Sequence, residues 1–175
     1  MLLPQDIMVL LKLAIHPGRK WTYAGLAHDL GLSPSQAYSA LGRAERSSLF
    51  SGELRRPLLA NLEEFLVHGV RYAFPPEIGG ITRGVPTAGS HPVFLEELPS
   101  SPEENYVWPY AEGLQRGMSL SPLYKSAPQA TNNDPLLYTA LALVDALRLG
   151  RKREMDFARR KLKELVQGKG DWHDW

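Results

Sequence analysis

A mainly α-helical fold is predicted for this chain: two short helices joined by a tight turn, a short β-hairpin, an irregular arm and a pair of C-terminal helices. Three observations carry that prediction. The stretch WTYAGLAHDLGLSPSQAYSALGRAERSSLF, from Trp21 to Phe50, has helical apolar spacing interrupted by a glycine turn at Gly31. A Ser-Gly turn between two short apolar-containing segments follows it at Leu49–Pro57. Apolar residues at three- and four-residue spacing recur towards both ends, while proline, glycine and serine crowd the middle. The boundaries implied are residues 1–75 for an N-terminal domain, 76–133 for the arm, 134–167 for the helical pair and 168–175 for a tail.

Taken in order, the first helix runs from about Pro4 to Ile15, with Leu3, Ile7, Leu10, Leu11 and Ala14 on one stripe. His16-Pro17-Gly18 ends it. Thr22 is the N-cap of the next helix, whose apolar face is Tyr23, Leu26, Ala27 and Leu30. Gly31 stands directly after the last periodic residue, where it takes the left-handed conformation without steric cost. Ser33, Pro34 and Gln36 mark a second start as cap, first-turn proline and capping-box residue. Leu62, Phe65, Leu66, Gly69, Val70 and Ala73 predict a further helix that closes the N-terminal core.

From Phe74 to about Asn133 no periodic run exceeds a few residues, so the span reads as irregular. Tyr106, Val107, Trp108, Pro109, Tyr110, Leu120 and Leu123-Tyr124 are nevertheless too apolar for disorder and must pack on this chain or on a second one. Asn133 or Asp134 caps, and Pro135 opens, a helix with the broad face Leu136, Leu137, Ala140, Leu141, Val144 and Leu147 that stops near Gly150. The last helix, about Arg153 to Val166, carries Met155, Ala158, Leu162, Leu165 and Val166 on its stripe. Its basic residues face solvent, DNA backbone or the acidic middle segment.

Composition narrows the function classes. With 175 residues, 43% of them hydrophobic, the chain can bury a sizeable core. The absence of cysteine excludes disulfides, thiolate catalysis and cysteine-based zinc sites. The apolar start MLLPQDIMVLLKLAI lacks a basic leader and is interrupted by Asp6 and Lys12, so no membrane span is expected and a cytoplasmic location is. The formal charge is only +1, but residues 1–61 hold seven Lys and Arg against four Asp and Glu, so any basic patch is local.

No catalytic constellation stands out. Arg83 lies among glycines without a phosphate-loop pattern, and Ser90-His91 are merely adjacent. Glu96, Glu97, Glu103 and Glu104 are interspersed with proline as in a solvated linker. His68 reads as packed or solvated, and His173 between two aspartates is a weak metal motif in a disordered or docked tail. No enzyme, cofactor or metal is therefore expected.

Ala27, Gly31 and the Ala37/Leu41 pair sit at the spacing of the helix-turn-helix signature, and Leu49-Phe50 with its charged continuation reads as the start of a wing. Over roughly its first 75 residues the chain resembles the winged-helix domains of bacterial transcriptional regulators, broadly MarR-like. The resemblance implies double-stranded DNA as partner, sequence-specific binding, and a homodimer held by helices outside the winged domain. The long Pro/Gly/Ser-rich insertion departs from that pattern.

On this reading Lys20 and Thr22 contact phosphates ahead of a helix start, unless Arg19 and Lys20 form only a solvated loop. The recognition helix presents Ser33, Ser35, Gln36, Ser39, Arg43 and Arg46 to the DNA, Tyr38 at its side packs or reaches a phosphate, and Arg55 and Arg56 follow the backbone or minor groove from the wing. Gln36 either reads adenine or turns back to close its capping box. Trp108, Tyr110, Leu137, Leu141 and Val144 supply the dimer interface. The alternative reading is a module that docks a protein partner through the aromatic arm.

Overall fold

The computed structural model describes residues 1–98 and 105–168. Glu103, Glu104 and the tail with His173 lie outside the described residues. Helix makes up ~54% of the chain, and the β structure is confined to two small sheets. The order is α1 (Pro4–Ala14), α2 (Tyr23–Leu30), α3 (Pro34–Arg46), the hairpin β1 (Phe50–Ser51) and β2 (Arg56–Pro57), then α4 (Leu59–His68) and α5 (Val70–Ala73). Next come β3 (Ile78–Thr87), a single 3-10 turn (Ala88–Ser90), α6 (Pro92–Leu95), β4 (Tyr106–Pro109), β5 (Gln115–Leu120), α7 (Ala127–Ala130), α8 (Pro135–Leu149) and α9 (Lys152–Val166).

Helix starts and stops follow from their local chemistry. Gly25 N–H donates to Thr22 Oγ1 at 3.0 Å, and Gly31 closes α2 at φ 67° with its N–H returned to the helix carbonyls. Ser33 and Gln36 form the reciprocal box, Gln36 N–H to Ser33 Oγ at 3.1 Å and Ser33 N–H to Gln36 Oε1 at 2.8 Å. Asp134 caps α8 through the Leu137 N–H, and Gly150 ends it at φ 78°. The single helix expected over Leu62–Ala73 is broken at Gly69 into α4 and α5, with Leu62, Leu66 and Val70 buried on one side.

The largest difference from expectation lies in the middle of the chain, where the span read as an irregular arm holds a three-stranded sheet. β3 pairs antiparallel with β5 through its first half and with β4 through its second half; β4 and β5 also run parallel to each other, so every strand is paired with both others. Gly84 and Gly113 permit this closure. A Cβ on Gly84 would collide with the Trp108 carbonyl, and one on Gly113 would collide with the Gly84 backbone.

Helix α8 lies at the centre. Leu137, Ala140, Leu141, Ala142, Leu143, Val144, Ala146 and Leu147 are all buried, which leaves no side of the helix for solvent over most of its length. It packs against α1, α4, α5, α9, the 3-10 turn and β3. The hydrophobic core runs continuously from Ile7 on α1 to Leu165 on α9, without a gap between the first 75 residues and the rest.

This arrangement corrects the dimer-interface expectation. Trp108, Leu137, Leu141 and Val144 are enclosed in the chain's own core and present nothing to a second folded copy; only Tyr110 among the five is half-exposed. Several buried polar groups inside the fold are paired. Asp145 on α8 accepts from Trp108 Nε1 at 2.7 Å, from Thr87 Oγ1 at 2.6 Å and from Arg148 at 2.7 Å. Arg148 also donates to the carbonyls of Phe74 and Ser121, so one ion pair ties α8 to β3, β4 and the segments flanking the sheet. Ser90 and His91 are structural as well: Ser90 Oγ accepts the Tyr106 N–H, and His91 Nδ1 caps α6 by accepting the Val93 N–H. No helix of the described residues is long and apolar enough to cross a membrane.

Candidate nucleic-acid interface

Helices α2 and α3, the loop before α2 and the β1–β2 hairpin form one surface. Trp21, at the end of that loop, organises it. Its ring meets Tyr23 edge-on at 5.3 Å and Phe50 at 6.2 Å, and its Nε1 donates to the Arg55 carbonyl at 3.1 Å. The Arg55 guanidinium lies 4.2 Å from the Trp21 ring centroid and donates back to the Trp21 carbonyl. The hairpin is thereby pinned to the start of α2. Its turn is closed by Ser51 Oγ accepting the Leu54 N–H and by the Glu45 carboxylate accepting the Gly52 N–H, and the left-handed residue is Arg55 (φ 53°).

Hollows flank the hairpin on both sides. One, of about 780 Å³, is lined by Lys12, His16, Arg19, Lys20, Trp21, Thr22, Arg55 and Arg56 among others; the second, of about 480 Å³, lies between α3 and the hairpin and includes Tyr23, Tyr38, Ser39, Gly42, Arg46 and Gly52. Arg19, Lys20, Arg46, Arg55 and Arg56 are exposed, and none of them is in an ion pair among the described residues. At the back of the first hollow, Lys12 binds Asp134 at 2.5 Å and lies 3.7 Å from Asp29, while His16 Nε2 reaches Asp134 at 3.1 Å. Burial alone would raise the Asp134 pKa, but Lys12, the Leu137 N–H and His16 together bring it below the ordinary value.

The residues singled out from the sequence divide into two sets. Lys20, Thr22, Ser33, Ser35, Ser39, Arg46 and Arg56 are exposed as expected, and Tyr38 is 65% exposed with its ring centroid 5.3 Å from that of Tyr23. Arg55 is exposed but held against Trp21. Two residues are corrected. Gln36 closes its box and also donates to Tyr124 Oη at 3.3 Å, so it is not free to read a base. Arg43 points into the protein, where its Nε and Nη2 make 2.9 and 2.8 Å bonds to Asp6, a carboxylate with 0% exposure. The hydrogen bond to Asp6 raises the Arg43 pKa further above its usual value.

Sequence reasoning missed the groups that tie these residues down. Asp6 sits three residues after Leu3 and accepts the Leu3 N–H, a first-turn acid whose position was a usable signal. Tyr124 and Ser126, from the segment before α7, had no such signal. Ser126 Oγ donates to the Leu30 carbonyl at 2.6 Å, and its Cβ lies where a side chain on Gly31 would go. This segment touches the turn between α2 and α3 on one side.

Arg43→Ala is therefore expected to lower stability by about 3 kcal/mol, because it leaves a buried carboxylate without its cation. Urea denaturation measures this, and a loss under about 0.5 kcal/mol, typical of an exposed surface change, would contradict the Asp6–Arg43 pairing. Compared with protein families, with curated proteins and with solved structures, the chain matches none.

Proposed function

We propose that the chain is a sequence-specific DNA-binding regulator of the winged-helix kind, with α3 in the major groove and the β1–β2 hairpin as its wing. The observation that carries this reading is the continuity of exposed polar and cationic side chains from Arg19, Lys20 and Thr22, across the hairpin at Arg55 and Arg56, to Ser35, Tyr38, Ser39 and Arg46 on α3. Arg19, Lys20, Arg55 and Arg56 serve phosphates. Ser39 and Arg46 take the base-reading place that Arg43 cannot fill, with each good contact contributing ~1–3 kcal/mol of discrimination.

The contacts made beside the turn between α2 and α3 favour a second reading, a winged-helix module that binds protein, because Gln36 and Leu30 are already engaged by Tyr124 and Ser126. Fluorescence anisotropy with genomic duplex fragments at several salt concentrations separates the two. Lys20→Ala and Arg56→Ala are each expected to weaken binding to all sequences alike and to flatten the log–log salt dependence by about one unit or less. Ser39→Ala with Arg46→Ala is expected to reduce preference for the selected fragment by about 2–5 kcal/mol with the fold intact. Unchanged salt slopes together with unchanged selectivity would give the surface to a protein partner.

A further inference from the structure

A second surface, on the β3–β5 strand pair, combines features that are unfavourable in an isolated molecule. Arg83 and Arg116 stand directly opposite each other in the antiparallel register, and like charges in that position repel. Both are exposed, and neither has an ion-pair partner among the described residues. The alternation of the strands places Ile81 and Met118 in the next pair on the same face, Ile81 open to solvent and Met118 half-buried against the core. Ile81 is 69% exposed, and Leu114, just before β5, is 97% exposed. Ile78, beyond the irregular Gly79-Gly80 step, is exposed too. At the two ends of this face stand the exposed carboxylates Glu77 and Glu112.

We propose that this face is the interface between two copies of the chain. A nucleic acid is a poor occupant, because Ile81 and Leu114 gain nothing beside phosphates and Glu77 and Glu112 repel them. A second copy offers the arginines a carboxylate and covers the apolar side chains. In a two-fold contact centred near Ile81 and Met118, the arginine end of one copy faces the Glu77 end of the other, and Ile78, Ile81 and Leu114 are withdrawn from water between them. The face is self-complementary, with two cations, two carboxylates and an apolar middle. The dimer so formed leaves α8 inside each copy, unlike the interface expected from the sequence.

Sedimentation equilibrium without DNA tests this independently of the DNA reading. At protein concentrations up to about 100 µM and low salt, the mass is expected to approach twice the 19.5 kDa of one chain. Leu114→Glu and Ile81→Glu are each expected to weaken association at least about tenfold. The pair Arg83→Glu with Arg116→Glu should abolish self-association, and mixing that variant with Glu77→Lys/Glu112→Lys should restore a mixed dimer. Circular dichroism verifies the fold of each variant, and Leu114→Glu, altering a fully exposed side chain, carries the test if Ile81→Glu fails to fold. A monomer at every concentration, or a dimer untouched by Leu114→Glu and by the arginine reversals, overturns the proposal. Loss of DNA binding with the dimer intact would overturn only the DNA reading.

Discussion

Replacing Asp145 with alanine is expected to destabilise the protein by about 3–5 kcal/mol, a large part of the stability of a domain this size. The carboxylate receives Trp108 Nε1, Thr87 Oγ1 and Arg148, and its side chain and that of Arg148 are both almost fully enclosed. Removing it leaves an indole N–H and a hydroxyl without their acceptor and a guanidinium without its counter-charge, although Arg148 keeps the Phe74 and Ser121 carbonyls. Asp145→Asn keeps the shape but halves the accepting capacity, so an intermediate loss is expected. Chemical denaturation decides the matter; a loss for Asp145→Ala below about 1 kcal/mol would show that this ion pair does not hold the sheet to α8.

Acid should weaken the fold well above the pH at which its carboxylates titrate. His91 is buried beside Tyr138, with ring centroids 4.2 Å apart, and burial pushes its pKa down to about 3 from the ordinary 6.5. Below pH 6.5 the unfolded chain takes up a proton at this site and the folded chain does not. The stability contributed by neutral His91 is complete above pH 6.5 and is lost as pH falls towards 3, by about 3 kcal/mol at pH 4. Asp134 shifts in the direction that preserves its charge to lower pH, so its contribution is complete above the ordinary carboxylate value and is lost as the pH falls below it. Denaturation at pH 7, 6, 5 and 4.5 should therefore show a slope near one proton. His91→Asn, which retains an acceptor for the Val93 N–H, should remove most of it. A flat wild-type profile, or an equal slope in the variant, would mean that His91 titrates normally.

The parts of the fold written in local chemistry were legible in the sequence. The caps at Thr22, Ser33 and Asp134 and the stops at Gly31 and Gly150 depend on residues at most a few positions apart, and each forms as its spacing predicts. The three-stranded sheet was not legible, because Ile78–Thr87 lacks period-two alternation and becomes a strand only through partners some thirty positions away. Its glycines resembled loop residues, whereas two of them serve close backbone approach. The role of α8 was misjudged for a related reason. Its apolar face was matched against a small N-terminal core alone, when the sheet and α9 also cover it.

The candidate interface was read better by place than by side chain. Loop, hairpin and exposed side of α3 lie where the spacing put them. Arg43 and Gln36 face inward because Asp6 and Tyr124, 37 and 88 positions away, claim them. Periodicity assigns a helix face, but only the distant partner decides whether a charge beside the apolar stripe reaches solvent.

The central position of α8 also bears on how the chain is made. During synthesis α1 emerges first and α8 roughly 120 residues later, yet the α8 cap Asp134 binds Lys12 and α8 completes the packing of α1 that α3 and the hairpin begin. At an elongation rate of about 5–20 residues per second, the N-terminal helices wait on the order of ten seconds for the element that completes them. A chain released near Pro75 keeps the packing of α1 against α3 and the hairpin but leaves open the side of α1 that α8 covers. That open side is apolar, so a chain cut short there is expected to be less stable and more prone to aggregate than the full chain.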